Sequence, residues 1–117
     1  MSALKEILQK KNKRKKKLES ALATMVSQLK KLNALKVILF GSLTEGEVDV
    51  TSDLDLLVIM PSNRSGKEWL RLIYENLERD VASDIIVYNQ KEFEARLPTC
   101  SFLQKIKMGK VIYEKRL

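Results

Sequence analysis

The chain has 117 residues, with 22 basic and 15 acidic side chains and a formal net charge of +7. This length predicts one domain that buries its own core without disulfide bonds. Histidine is absent, which excludes histidine-based catalytic triads and most zinc sites. The single cysteine, Cys100, cannot form an internal disulfide, and we see neither a membrane-spanning apolar run nor a signal-peptide core. We therefore expect a cytoplasmic protein.

The positive charge is concentrated in the N-terminal segment. Residues 1–36 carry eleven basic and two acidic side chains, a net +9, whereas residues 37–117 carry eleven basic and thirteen acidic ones, a net −2. The densest part of the segment is the run from Lys10 to Lys17. Apolar residues then recur at three- and four-residue steps from Leu18 to Leu32, which predicts a helix that ends near Asn33. The basic run is either a solvated helix face or a binding surface for nucleic acid or an acidic partner.

A short apolar run, Lys36 to Phe40, predicts a buried strand that stops at Gly41 and Ser42. The backbone N–H groups of such a turn and the Ser42 hydroxyl can point at phosphate oxygens. A Gly-Ser pair alone is equally an ordinary turn without a ligand. The turn therefore indicates a binding site only in combination with the acidic residues that come after it in the chain.

A second predicted strand, Asp53 to Met60, begins with two aspartates. Side chains two apart on a strand point to the same face, so Asp53 and Asp55 are expected to project together. Two ionised carboxylates at this distance repel each other, and a divalent cation such as Mg²⁺ removes the repulsion. The alternative is a solvated loop end. The order of the two elements, a Gly-Ser turn and then the acidic pair, favours a phosphate cradle that faces a metal site.

The rest of the chain predicts alternating helices and strands. Ser65 to Glu68 has the form of a capping box and begins a helix that continues to Arg79. The later elements are a strand from Ala82 to Tyr88, a short helix capped by residues 89–92 and holding Phe93, a helix from Thr99 to Met108 with Phe102, Leu103 and Ile106 on one side, and a strand from Val111 to Tyr113. This pattern predicts an α/β fold, a small mixed sheet packed with helices, preceded by a long basic N-terminal helix.

Asp84 is the lone acidic residue in an otherwise apolar strand. A carboxylate flanked by Val81, Ile85 and Ile86 is costly to bury without a partner, and a metal ion is a natural partner. The alternative is an aspartate that faces water at the edge of the sheet. Asp84 is therefore a candidate third member of the acidic site.

The string Gly41-Ser42, ten further residues and Asp53-Leu54-Asp55 resembles the signature of the DNA polymerase beta-like nucleotidyltransferase superfamily. Phe40 and the run from Ser52 to Val58 are similar to its minimal stand-alone members, the minimal nucleotidyltransferases (MNT). Such members are often the antitoxins of HEPN/MNT toxin–antitoxin pairs. The resemblance begins near Val37 and continues to the C-terminus.

The family's third carboxylate lies on a later strand, and the segment from Ala82 to Tyr88 matches that strand, which places the carboxylate at Asp84. The resemblance implies a palm-like core that transfers a nucleoside monophosphate from ATP or another nucleoside triphosphate and releases pyrophosphate. It implies that Asp53 and Asp55 hold a Mg²⁺ (or Mn²⁺) ion that bridges the triphosphate. It also implies that Asp84, with one of them, holds a second ion that activates the acceptor hydroxyl, and that Asp84 can take the hydroxyl proton.

In the same resemblance, Gly41 and Ser42 bind the β- and γ-phosphates. Larger relatives carry an added domain that grips the base or the acceptor. We expect instead a single nucleotidyltransferase domain over residues 1–117, made of a basic helical segment at 1–34 and a catalytic core at 36–117. The resemblance then implies that the acceptor hydroxyl belongs to a second protein, a small all-helical, HEPN-like partner.

One part of the loop departs from the family pattern. Many relatives have a basic residue two positions before the loop's second glycine or next to it, whereas the run from Leu43 to Glu47 has two glutamates around Gly46 and no basic residue. The departure puts efficient catalysis by the lone chain in doubt and suggests that a partner's Lys or Arg meets the charge of the leaving group. Two other functions stay open: a non-catalytic module that binds a partner or senses a nucleotide, and nucleic-acid binding through Lys10 to Lys17.

Overall fold

The computed structural model describes residues 2–40, 54–77 and 83–115, and for residues 2–12 and 14 it describes the backbone alone. Its elements in chain order are α1 (Ser2–Lys31), β1 (Lys36–Phe40), β2 (Leu54–Met60), α2 (Gly66–Asn76), β3 (Ser83–Asn89), α3 (Gln90–Arg96), α4 (Ser101–Lys107) and β4 (Lys110–Glu114). This order confirms the predicted α/β fold. Three residues of the expected site, Gly41, Ser42 and Asp53, lie outside the described residues.

The four strands form one mixed sheet in the order β3-β2-β1-β4. Strand β1 pairs antiparallel with both β2 and β4, whereas β2 and β3 are parallel. A parallel pair needs a crossover connection, and α2 lies in the chain between β2 and β3. The central strand β2 is buried along its whole length except at Asp55, which is half-buried.

Helices cover both faces of the sheet. Buried residues of α1 and α2, such as Met25, Leu29 and Ile73, pack against one face. Phe93 of α3 and Leu103 and Ile106 of α4 pack against the other. Trp69 of α2 is buried with these α1 and α2 residues, and its indole N–H donates a hydrogen bond to the Pro61 carbonyl oxygen at 2.8 Å. None of the helices in the described ranges has a segment long and apolar enough to cross a membrane.

Helix α1 ends where the sequence predicts, and the backbone explains why. Asn33 has a φ of 74°, the left-handed conformation that asparagine tolerates better than most residues. Its N–H donates to the Lys30 carbonyl, and the N–H of Ala34 donates to the Leu29 carbonyl, both at 3.0 Å. These two bonds form a Schellman motif, which satisfies helix-end carbonyls and turns the chain toward β1.

The N-terminal part of α1 carries the basic surface. The side chains of Lys13, Lys15, Lys16 and Lys17 are exposed, and the first buried side chain described in the helix is that of Leu18. A helix of this length spans about 45 Å. The apolar stripe from Leu18 onward holds α1 on the sheet, so these exposed lysines contribute nothing to the core and stay accessible to a partner.

Helix α2 ends earlier than predicted. The sequence predicts helix as far as Arg79, but the last helical residue is Asn76. Leu77 already has an extended backbone, with φ −94° and ψ 123°, and its side chain is buried in the core. Leu77 thus acts as the C-cap of α2, and its N–H donates the last helical hydrogen bond, to the Ile73 carbonyl.

The Glu92 carboxylate joins three elements at the end of the sheet remote from Asp55. Its Oε1 accepts hydrogen bonds from the N–H of Gly66 at 2.8 Å and from the N–H of Asn89 at 2.9 Å. The Asn89 side chain accepts from the N–H of Glu92 in return, which completes the capping box of α3. A Cβ on Gly66 would meet this carboxylate oxygen at 2.7 Å and the backbone oxygen of Val87 at 2.8 Å, and because the backbone cannot move aside easily, the close approach requires glycine.

We expect Glu92→Ala to lower the free energy of unfolding by about 1–3 kcal/mol, because two backbone N–H groups lose their acceptor in a partly buried position. Urea denaturation at equilibrium measures this change. Glu94→Ala, an exposed carboxylate on the same helix, is the control and should change stability by less than about 0.5 kcal/mol. Equal losses in the two variants would contradict a capping role for Glu92.

Candidate functional site

Two of the predicted acidic residues lie side by side in the sheet. Asp55 on β2 and Asp84 on β3 are register partners in the parallel pair, although they are far apart in the sequence. Neighbouring strands are roughly 4.8 Å apart, and register partners point to the same face. The fold thus brings these two carboxylates together without any contribution from the loops.

The face that carries the acidic pair follows from strand alternation. Asp55 shares its face with Leu57 and Ile59, and Asp84 shares its face with Ile86 and Tyr88. All four of these apolar residues belong to the cluster beneath α3 and α4. The carboxylates therefore lie on the α3–α4 face, at the end of the sheet where β2 and β3 begin.

The surroundings of Asp84 correct one of the two interpretations of its sequence pattern. Asp84 is exposed, and β3 is an edge strand of the sheet. The cost of burying a carboxylate is therefore no argument for a metal at this residue. The register of Asp84 with Asp55 is the stronger argument for a metal site. It places the Asp84 carboxylate beside that of Asp55, the one half-buried residue of a strand that is otherwise buried.

The C-terminal end of β1 lies next to the acidic pair. Phe40, the last residue of β1, is the antiparallel register partner of Asp55. Gly41 and Ser42 come directly after Phe40 in the sequence, and Asp53 precedes the first residue of β2. These three residues lie outside the described ranges, so their assignment to the site stays a prediction from the sequence.

The described acidic pair suits a hard divalent cation. Carboxylate oxygens are the ligands that Mg²⁺ prefers, and a strand spacing of roughly 4.8 Å lets two carboxylates approach one ion with ligands at about 2.1 Å. Within residues 2–40, 54–77 and 83–115, no group of three or more His, Cys, Asp or Glu residues could hold a metal. Since Mg²⁺ commonly takes only one or two protein carboxylates, the donors present fit such an ion.

Two aromatic rings extend the same row of side chains. The rings of Phe40 and Phe102 pack edge to face, with centroids 6.3 Å apart and planes at 88°. The sequence predicts Phe102 on the same side of the last helix as Leu103 and Ile106, and its ring does contact Phe40 of the cluster beneath that helix. Leu103 and Ile106 are buried, whereas 53% of Phe102 is exposed, so Phe102 lies at the margin of the buried stripe.

A cavity of about 290 Å³ lies at the opposite end of the sheet. Its walls include Lys36 and Ile59, which are register partners at the far end of β1 and β2. None of the described residues that line it is an aspartate. This cavity is therefore separate from the acidic pair and offers neither of its carboxylates to a ligand.

Comparison with protein families assigns the chain to a known class. The chain belongs to the family described as nucleotidyltransferase domain, whose model matches residues 15–113. The match includes β1, β2 and β3 with both carboxylates and the segment that joins β1 to β2. Comparisons with curated proteins and with solved structures give no match. Transfer of a nucleotidyl group is the general activity that the family indicates.

We expect Asp84→Asn to raise the melting temperature of the metal-free protein by about 2 °C, because like charges opposite each other on neighbouring strands destabilise a sheet. Thermal denaturation with a chelator present measures the change. Glu75→Gln removes an exposed carboxylate from α2 and is the control. Mg²⁺ should then raise the melting temperature of the wild type more than that of Asp84→Asn. A lower melting temperature for Asp84→Asn than for Glu75→Gln would contradict charge repulsion at this pair.

Proposed function

We propose that this protein is a metal-dependent nucleotidyltransferase that moves a nucleoside monophosphate, AMP in the first instance, from ATP to a hydroxyl group of a partner protein. The observation that carries the proposal is the register of Asp55 and Asp84 on adjacent strands, in a chain of the nucleotidyltransferase domain family. A minimal nucleotidyltransferase similar to the antitoxins of HEPN/MNT pairs fits the resemblance of the Gly-Ser and Asp-Leu-Asp elements.

The reaction exchanges one phosphorus–oxygen bond for another. The acceptor oxygen bonds to the α-phosphorus, the bond from that phosphorus to the bridging oxygen of the β-phosphate breaks, and pyrophosphate leaves with the bonding electrons. In this scheme the carboxylate of Asp84 takes the proton of the acceptor hydroxyl. Its exposure on an edge strand makes it accessible to a hydroxyl presented by another protein.

The proposed metal ligands are Asp53, Asp55 and Asp84, with Mg²⁺ or Mn²⁺ as the ion. When bound, the ion neutralises charge on the triphosphate and favours ionisation of the acceptor hydroxyl. Asp55 would hold the ion from the buried strand β2, whereas Gly41 and Ser42, which follow β1 in the sequence, would bind the β- and γ-phosphates. The half-buried position of Asp55 and the open position of Asp84 support this division between holding the ion and meeting the acceptor.

The basic surface of α1 is proposed to dock the acceptor protein. Lys13, Lys15, Lys16 and Lys17 are exposed, and their charge suits an acidic patch on a small all-helical, HEPN-like partner. Nucleic acid has the same attraction to this surface, and binding of nucleic acid through the Lys10 to Lys17 run is the alternative function. Separate titrations with the acceptor protein and with an RNA or DNA duplex distinguish the two functions, since only the true ligand loses affinity when the exposed lysines are changed to serine.

A second candidate function is a non-catalytic module that binds its partner and senses a nucleotide. This alternative is favoured by the two glutamates, Glu45 and Glu47, which stand in the part of the sequence where many relatives have a basic residue. The two functions share nucleotide binding and differ in product. Mass spectrometry of the partner after incubation with ATP distinguishes them, because only a transferase adds the mass of a nucleoside monophosphate.

The test of the shared step is calorimetric titration of ATP into the full chain with Mg²⁺ and, separately, with a chelator. We expect measurable binding only with the metal ion. Equal affinity in the two titrations would contradict a metal site made of the aspartates. Mn²⁺ in place of Mg²⁺ should restore binding, because both ions accept carboxylate and phosphate oxygens.

A further inference from the structure

We propose that Phe102 and Phe40 form the nucleobase-binding wall of the site, with the exposed ring of Phe102 stacking on the base of the nucleoside triphosphate. This inference rests on the proposed function and adds the contact that holds the nucleoside. It starts from the row of side chains across one face of the sheet, in which Asp84, Asp55 and Phe40 are successive register partners. Phe102 continues this row through its contact with Phe40.

The exposure of Phe102 is the first argument. Its side chain is 53% exposed, whereas Leu103 and Ile106 on the same helix are buried. A large apolar ring left open to water gains free energy when a ligand covers it. The edge-to-face contact with Phe40 fixes the ring against the sheet while more than half of its surface stays accessible. The ring is thus held in place before any ligand arrives.

The distance from the carboxylates is the second argument. Asp55 and Phe40 are on neighbouring strands, about 5 Å apart at their Cα atoms. The centroid of the Phe102 ring lies 6.3 Å from that of Phe40. Together these two steps put the Phe102 ring within about 10 Å of Asp55. This separation matches the reach from the phosphates of a nucleotide to its base, so one triphosphate can span both ends of the row.

The chemistry of the wall also predicts its selectivity. Every nucleobase has a π face, so stacking on phenylalanine holds any base without choosing among them. The side chains of Phe40 and Phe102 contain only carbon and hydrogen, so neither can form a hydrogen bond that distinguishes one base from another. We therefore expect GTP and ATP to depend on Phe102 to a similar degree.

The experiment compares MgATP with Mg-tripolyphosphate, which has the phosphates but no base. Binding of each to the full chain is measured by calorimetry for the wild type, Phe102→Ala, Phe102→Leu and Phe102→Tyr. Met108→Ala is the matched control, because Met108 comes directly after the same helix and is 88% exposed. Melting temperatures of all variants establish that each is folded.

We expect Phe102→Ala to weaken ATP binding by about 10-fold and to leave tripolyphosphate binding unchanged. Phe102→Leu should weaken ATP binding similarly, since it keeps apolar bulk but loses the ring, whereas Phe102→Tyr and Met108→Ala should bind as the wild type does. Unchanged ATP affinity in Phe102→Ala overturns the inference, and so does an equal loss for both ligands, which marks a purely structural role. A wild type that binds neither ligand contradicts the proposed function itself, and a wild type that binds both equally overturns the base-binding wall alone.

Discussion

Replacing Asp55 with alanine is expected to weaken Mg²⁺-dependent ATP binding by about 100-fold or more and to remove detectable nucleotidyl transfer. Substitutions of residues that only support metal ligands cost 10–100-fold in affinity or activity in general, so loss of a ligand should reach at least the upper limit. Asp55 is the one residue of β2 that is not buried, and β2 is one of the two inner strands of the sheet. No other described carboxylate is in register with Asp84 on β2. Calorimetry with Mg²⁺ measures the change.

The controls for this experiment separate loss of charge from loss of fold. Asp55→Asn keeps the size of the side chain and should lose nearly as much affinity as Asp55→Ala, because the charge is what the ion requires. Glu75→Ala removes an exposed carboxylate from α2 and should leave ATP binding unchanged. Retention of Mg²⁺-dependent binding in folded Asp55→Asn would exclude Asp55 as a metal ligand.

Nucleotidyl transfer is expected to require a second protein, with at least about a 1000-fold difference in rate between the complex and the lone chain. The described part of the chain has a carboxylate pair but no separate acceptor-binding domain, and positioning of two reactants accounts for rate factors of this size and more. Labelled ATP should pass its AMP to a tyrosine, serine or threonine hydroxyl of a small helical partner. Gel analysis and mass spectrometry of the partner measure the transfer. Rapid transfer by the lone chain to a small molecule such as an aminoglycoside would contradict this expectation.

Variants of the exposed lysines on α1 test whether this helix docks the partner. Changing Lys15, Lys16 and Lys17 together to serine should weaken association with the partner at low salt and have a smaller effect at high salt, because salt screens exposed charges. Lys67→Ser removes an exposed charge from α2 and should leave association unchanged. Binding of ATP by the triple variant should equal that of the wild type, since α1 packs on the face of the sheet opposite the one that carries the acidic pair.

Local patterns predicted the elements of the fold well. The apolar stripe from Leu18 predicted α1 and its end, and the structure has Asn33 in the left-handed conformation there. Residues 89–92 predicted the cap of α3, which the hydrogen bonds of Asn89 and Glu92 confirm. The two central strands were predictable because almost every residue in them is apolar. These features depend on neighbours in sequence, which a single chain displays directly.

Long-range packing determined what the sequence did not predict. Nothing in the run around Asp84 shows that its strand lies at an edge of the sheet, so exposed and buried positions were equally consistent with it. The exposure of Phe102 depends on how α4 packs against the sheet. The second role of Glu92, as acceptor of a hydrogen bond from the Gly66 N–H, depends on how closely α2 approaches α3. The register of Asp55 with Asp84 joins strands that α2 separates, and periodicity carries no information about such a pairing.

The parallel pairing of β2 with β3 also ties ligand binding to local opening of the protein. The two carboxylates are 29 positions apart, and one of them belongs to β3, which among the described strands pairs with β2 alone. Detachment of β3 would separate the acids while the antiparallel β1–β2 pair stays intact. A ligand that bridges the acids therefore opposes that opening, and the amide protons of β3 should exchange with solvent more slowly when it is bound. Amide exchange in β3, the strand that carries Asp84, therefore reports whether a ligand occupies the site.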